Sequence, residues 1–205
     1  MEQMAKLLIL LALLSCAPIS DPPKNVNEEY EIYSTIIDSI FSEPSTKLIV
    51  INDSTILDYY NGKNYINTKE YEIDSLGLLT FLLHGINAPS REEVYQDYIA
   101  KSTEKYKLDL EKIMFNIKTT ALSRNDFTRF FDRGANNGWS YFYEKYPNSI
   151  GYLEFSRVSF NKIRDIALVY IENVCGGLCG SGDYYLLERE KDKWKIKGRV
   201  NIWTS

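Results

Sequence analysis

Histidine is almost absent from this chain of 205 residues: His84, in Leu82-Leu83-His84-Gly85, is the only one. A catalytic triad or dyad that needs an imidazole would have to use it, and neither a Gly-x-Ser-x-Gly elbow nor a His-Glu-x-x-His helix accompanies it. It reads as a half-buried packing or hydrogen-bonding residue, and stays on the list only as a candidate ligand contact. Cysteine is scarce as well, with Cys16, Cys175 and Cys179 making up the full set. A structural zinc site wants four ligands of the Cys/His type, so this inventory calls for no metal and no cofactor. Basic charge is not in excess either. The formal net charge is -4, which disfavours a nucleic-acid partner, since that would require a positive footprint.

Long apolar runs are also missing. The longest, Leu7 to Leu14, is eight residues, or about 12 Å of helix against roughly 30 Å of hydrocarbon. It cannot span a bilayer, but it matches the apolar core of a secretory signal. Ser15 and Cys16 follow at once, and Leu13-Leu14-Ser15-Cys16 resembles the lipobox of a bacterial lipoprotein. There the cysteine is acylated, palmitate being a typical chain, and becomes the mature N-terminus. Leu14 is bulky for its place, and Lys6 is the only basic side chain ahead of the run. The alternative is an ordinary signal peptide cleaved nearby, which leaves Cys16 an unpaired thiol in an oxidising compartment. The expectation is a signal peptide over 1–15, and a protein anchored by lipid to a bacterial membrane in the cell envelope.

Residues 16–27 contain Pro18, Pro22 and Pro23 with little periodic apolar content, so they read as the lipidated Cys and a semi-extended tether. Residues 28–205 read as a single globular domain, long enough for a proper core. The 16 tyrosines could furnish amphipathic rings for a sugar or peptide surface. Tyr, Asn, Ile and Lys are all abundant together, however, which an AT-rich genome explains equally well.

Ile32/Tyr33, Ile36/Ile37 and Ile40/Phe41 recur every four residues, predicting an amphipathic helix capped by Asn27. Lys47 to Ile51 predicts a strand. Leu76 to Leu83 is helix or buried strand, and so short a run does not arbitrate. Ser90 and Glu93 form a capping-box pattern ahead of a second helix. Lys112 to Thr119 reads as a strand, and Asp126 to Phe131 and Trp139 to Tyr146 as short helices. Four β-rich runs close the chain, at 151–160, 166–173, 184–190 and 194–203, too closely spaced for helical crossovers. The fold class expected is therefore α+β, with N-terminal helices packed on a mostly antiparallel sheet that ends in a four-stranded meander. In the last run Lys193, Lys195, Lys197 and Arg199 alternate with apolar residues, so one face is core and the other solvated.

Several residues of this last third carry a resemblance: Phe155-Ser156-Arg157-Val158-Ser159-Phe160, Ala167-Leu168-Val169-Tyr170, Cys175-Gly176-Gly177-Leu178-Cys179-Gly180-Ser181-Gly182, Trp194-Lys195-Ile196 and Trp203-Thr204-Ser205. Together they are similar to an uncharacterised family of predicted bacterial lipoproteins, with Ser159 where that family has Gly. The resemblance implies an envelope address and a C-terminal sheet, and it assigns no catalytic residue.

Cys175 and Cys179 enclose Gly-Gly-Leu between two strand runs, a spacing that a disulfide tolerates. A redox pair and a metal site are the rivals. The first prefers two intervening residues at a helix start, and the second needs two further ligands. Gly176-Gly177 and Gly180-Ser181-Gly182 precede a strand, whereas a phosphate cradle precedes a helix. Arg157 stands where the apolar phase slips from odd to even positions. That slip suggests a bulge at Ser156-Arg157, with a cation to meet a ligand carboxylate or to pair with a nearby acid. The reading that results is a membrane-anchored, non-enzymatic binding or interaction module. Its partners are the lipid bilayer and an unidentified protein or glycan. The alternatives are an immunity or inhibitor protein against a toxin, and a small extracytoplasmic hydrolase joining His84, Arg157 and a carboxylate.

Overall fold

The computed structural model describes residues 19–20, 27–41, 48–57, 83–103, 105–114, 116–132 and 135–205. The signal peptide, Cys16, most of the tether and all of Leu76 to Leu83 except Leu83 lie outside the described residues. Ile19–Ser20 (β1), inside the stretch expected as tether, pairs in parallel with Lys105–Tyr106 (β3).

Helix α1 covers Asn27–Ile40 and buries Tyr30, Ile32, Tyr33, Ile36 and Ile37, the stripe that the four-residue period announces. Asn27 is its first residue. Strand β2 is Leu48–Asn52. Helix α2, Ala88–Lys101, is capped at Asn87, three residues ahead of the Ser90 box, because the Asn87 side chain accepts from the Ser90 N–H and Pro89 suits the first turn. The strand expected over Lys112 to Thr119 is displaced. Asp109 caps a short 3-10 turn over Leu110–Lys112, and β4 is Lys118–Leu122. Then come α3 (Arg124–Thr128), a 3-10 turn at Arg129–Phe131 and α4 (Ala135–Lys145). Strands β5 (Ser149–Phe155), β6 (Ser159–Phe160), β7 (Ile166–Gly176), β8 (Cys179–Glu190) and β9 (Lys193–Thr204) complete the chain.

The main sheet runs β4-β2-β5-β7-β8-β9, with β6 also on β7. The pairs among β5, β7, β8 and β9 are antiparallel, as is β6 with β7, while β2 is parallel to both β4 and β5. The class is α+β, with the meander at the C-terminus. The first β-rich run does not continue through Arg157. It breaks into β5 and β6, both hydrogen-bonded to β7, with Ser156 on an isolated bridge to Ile56. Lys191 and Asp192, both at positive φ, make the two-residue turn between β8 and β9.

Side-chain alternation divides the core. Ile49, Ile51, Leu153, Phe155, Ala167, Val169, Ile171, Tyr185 and Leu187 share one apolar cluster with the α1 stripe. Strand residues of opposite parity feed two others. Leu168, Tyr170, Tyr184 and Leu186 join Val94 and Tyr98 of α2, while Val50, Leu122 and Tyr152 join Phe142 of α4. Since side chains alternate across a strand, these two clusters lie on one face of the sheet, and the first lies on the other.

Candidate functional site

Between the two apolar clusters of that face the sheet carries a polar row. Its members follow from register. Asn52 is the last residue of β2, one step beyond the pair Ile51 and Leu153. Glu154 of β5 is directly opposite Glu172 of β7, Glu172 is opposite Gly182 of β8, and Gly182 is opposite Trp203 of β9. Arg124 reaches in from the start of α3, whose first turn Ser123 caps by accepting from the Asp126 N–H.

Like charges directly opposite on neighbouring strands repel, and a buried carboxylate must be paired to remain ionised. Glu154 is 1% exposed. Its Oε1 accepts from Asn52 Nδ2 at 2.7 Å, and its Oε2 accepts from Arg124 Nη1. Burial still dominates, and it holds the Glu154 carboxyl above its ordinary range although Arg124 and Asn52 pull the other way. The Arg124 side chain is half exposed, so the seam has an outlet to solvent on that side. Asn52 is 2% exposed, and its Oδ1 is buried with no hydrogen-bond donor. At the other end, Trp203 Nε1 donates to the Tyr170 hydroxyl at 2.8 Å, and that hydroxyl contacts Glu172 Oε2 at 3.5 Å. Gly182 makes this possible, because a Cβ there would lie 2.1 Å from both the indole nitrogen and the Tyr170 oxygen. Phe127 stacks on Tyr152 at 4.1 Å and walls the Arg124 side.

Arg157 lies elsewhere. It is buried, its Nη2 donates to Glu29 Oε1 at 3.2 Å, and its guanidinium sits 5.1 Å from the Tyr106 ring centroid. Glu29 also accepts from the Tyr106 hydroxyl at 2.8 Å and the Val158 N–H at 3.2 Å. This buried network ties α1 to β3 and to the break between β5 and β6. His84 is exposed, in the turn ahead of α2, and not half-buried. The structure thus sets one candidate in the core and the other on the surface. Cys175 and Cys179 stand at disulfide distance, with Cα atoms 5.0 Å apart, and the Tyr143 hydroxyl donates to the Cys175 carbonyl at 2.7 Å.

Two surface grooves are less distinctive. One of about 620 Å³, floored by Tyr30 and Trp194, has much of its polar lining already engaged: the Tyr30 hydroxyl accepts from the Asp109 N–H and Lys112 pairs with Asp109. The other, of about 420 Å³ beside α2, has Asp97 on Lys101 and the Phe160 N–H, and Glu93 on Lys162.

The seam residues left a trace in the sequence. Tyr152-Leu153-Glu154 and Tyr170-Ile171-Glu172 each place an acid two residues after a tyrosine, in phase with an inward face of an otherwise apolar strand. Glutamate at such a position is rare unless paired. The chain matches none of the protein families, curated sequences or solved structures with which it was compared.

Proposed function

We propose that this chain is an exported, lipid-anchored binding module of the bacterial cell envelope, held to a membrane through Cys16 and engaging a protein or glycan partner at the seam of Asn52, Glu154 and Glu172. The observation that carries the binding reading is the unpartnered Asn52 Oδ1 beside two opposed carboxylates, in a seam that opens to solvent at Arg124. A buried acceptor that meets no donor is costly, and an arriving ligand group would supply one. The envelope address draws support from the Leu7 to Leu14 run before Ser15-Cys16, from the resemblance to predicted lipoproteins and from the disulfide distance of Cys175 and Cys179. The shared cluster of α1 and sheet residues supports N-terminal helices layered on the sheet. With Ile19 paired to Lys105, only three residue steps separate Cys16 from the body, about 10 Å of extended chain. An acyl group on Cys16 would therefore hold the β3 end close to the bilayer.

The test is expression of the full chain in a bacterial host with a fatty-acid probe. Labelling and detergent partition are expected for the native chain and neither for Cys16→Ala; equal labelling of the two would end the lipoprotein reading. A second reading, a small extracytoplasmic hydrolase, is favoured by a raised Glu154 facing Glu172, since acid and base roles follow from carboxyls whose environments differ. Turnover of glycoside or ester probes, lost in both Glu154→Gln and Glu172→Gln, would select it.

A further inference from the structure

We propose that the bridge between Cys175 and Cys179 is an exchangeable disulfide, a redox modification site at the tip of the β7–β8 hairpin that an external dithiol opens through the sulfur of Cys179 while the sheet stays folded. The inference rests on neither the seam nor the lipid anchor. The backbone at the tip is arranged around the pair. The β7–β8 register runs without a break from Ile166 opposite Glu188 to Val174 opposite Gly180, then shifts so that Gly176 faces Cys179 and Cys175 is the extra residue. A bulge of this kind re-aims a side chain, and here the Cα atoms of the two cysteines lie 5.0 Å apart, inside the range a disulfide needs. Gly151 of β5 makes room for the bulge. It sits at φ 110°, and a Cβ there would come within 2.9 Å of the Cys175 Cβ. Yet the bridge does little for the body of the protein. Neither cysteine belongs to any of the three apolar clusters, and a separation of four residues closes the kind of short loop whose entropy contributes least. The ladder below the bulge holds the hairpin without it, so the tip can open locally.

The two sulfurs are not equivalent. Cys179 is exposed, as are Gly177 and Leu178 before it, and no atom lies near a Cβ built on Gly177. Cys175 is only partly exposed and is held from two sides, by the close approach of Gly151 and by the Tyr143 hydroxyl, which donates to its carbonyl at 2.7 Å. An incoming thiolate therefore reaches Cys179 first. Its sulfur bonds to Cys179 Sγ, the bond between the two cysteines breaks, and the electron pair leaves on Cys175 as a thiolate. The second thiol of the reductant then attacks its own half of the mixed disulfide and releases Cys179 as a thiolate. Two electrons pass from the dithiol to the protein, the dithiol becomes a disulfide, and its two protons end on Cys175 and Cys179. Closure is the reverse, with an external disulfide as oxidant. The spacing marks a disulfide that is acted upon. A catalytic pair favours two intervening residues at a helix N-terminus, whereas this one has three between strand ends. The C-terminus feels the change, because the Ser205 N–H donates to the Gly180 carbonyl at 3.1 Å, next to Cys179.

The experiment uses the full chain, extracted in detergent from a bacterial host. Oxidised protein is treated with reduced glutathione, quenched in acid, alkylated and mapped by peptide mass spectrometry, which also separates these sulfurs from Cys16. The glutathione adduct is expected on Cys179, with Cys175 alkylated. Dithiothreitol should open the pair in native buffer at a rate within about tenfold of that in urea, because access to the sulfur and not global unfolding limits the attack. Far-UV circular dichroism should stay unchanged, while hydrogen exchange rises at the tip and around Ser205. Oxidised glutathione should close the bridge and return the exchange to its starting pattern. An adduct on Cys175 in place of Cys179, opening that occurs only in urea or with loss of the dichroism signal, or a pair that oxidised glutathione fails to close would each overturn the proposal. None of these readouts depends on fatty-acid labelling of Cys16 or on binding at the seam, so the outcomes are told apart from those of the envelope reading.

Discussion

Glu154 and Glu28 are both paired to arginine, yet their stabilities should respond to pH in opposite senses. Burial raises Glu154 and outweighs Arg124 and Asn52. A carboxyl raised on folding favours the native state most when protonated, so its contribution is present below the ordinary value near 4.5 and is lost as the pH climbs through the folded value. Glu28 is also partly desolvated, but Arg164 and Arg189 win and hold it low. Its contribution is present above the ordinary range and is lost as the pH falls through the folded value. Melting curves from about pH 2 to about pH 8, which span the carboxylate range on both sides, should therefore show Glu154→Gln gaining on the native protein with rising pH and Glu28→Gln falling behind. A parallel pair of profiles would refute the assignment. Gly182→Ala is a second residue-level case. The added methyl meets Trp203 and Tyr170 at 2.1 Å, an overpacking expected to cost about 1–3 kcal/mol, and it should blue-shift or quench Trp203 emission as the indole leaves the Tyr170 hydroxyl. Neither site could be ranked from sequence alone. The Tyr-x-Glu phase of 152–154 and 170–172 was legible as acids at inward positions, whereas their meeting depends on a register that pairs Glu154 with Glu172, and register is set by long-range pairing.

At the scale of elements, periodic segments were the readable ones. The α1 stripe and the alternation of β9 appear where the four-residue and two-residue periods put them. The misplaced strand at Lys112 to Thr119 failed because Asp109 makes a local cap with Glu111 N–H that no periodicity announces. The slip at Ser156-Arg157 announced an irregularity, but not that Ser156 Oγ would accept from the Tyr170 N–H and carry β7 past the gap. On β9 the basic stripe is answered by acids of β8: Lys195 meets Glu190 at 2.6 Å and Arg199 takes Asp183 through two bonds of 2.9 Å. Lys197 also pairs with Glu190, and the two lysines hold that carboxyl down at about 2. With its charge balanced locally, the stripe should not recruit anionic lipid. Replacing Lys193, Lys195, Lys197 and Arg199 by Gln should leave binding of the soluble domain to anionic vesicles unchanged and increase aggregation, because β9 ends the described sheet and loses its guard. A salt-sensitive loss of vesicle binding would reverse that reading. In the turn before β9, Lys191 and Asp192 occupy left-handed backbone at φ 47° and 64°. Asp192→Gly relieves that conformation and should raise stability by about 0.5–1 kcal/mol, measured by urea unfolding.

Across the described sheet the two faces carry two different kinds of polar contact. The seam face keeps an unpartnered acceptor and a half-exposed cation. On the opposite face Glu29 is 3% exposed and is served at once by Arg157, Tyr106 and the Val158 N–H, with the Tyr33 hydroxyl 3.4 Å away. Those bonds join residues far apart in sequence and give Arg157 its role: it orders the break between β5 and β6 against α1. Removing the guanidinium alone leaves a carboxylate buried among hydroxyls, a loss expected to cost about 3–5 kcal/mol, whereas replacing the whole pair by apolar side chains of similar volume is often close to neutral. Arg157→Met should therefore lower the urea midpoint sharply, and Glu29→Leu with Arg157→Met should recover a substantial part of the loss, with a coupling energy read from the double-mutant cycle. If Arg157→Met proved neutral in stability, the guanidinium would not be what holds the break between β5 and β6 to α1, and the role given to the Glu29 network would be wrong.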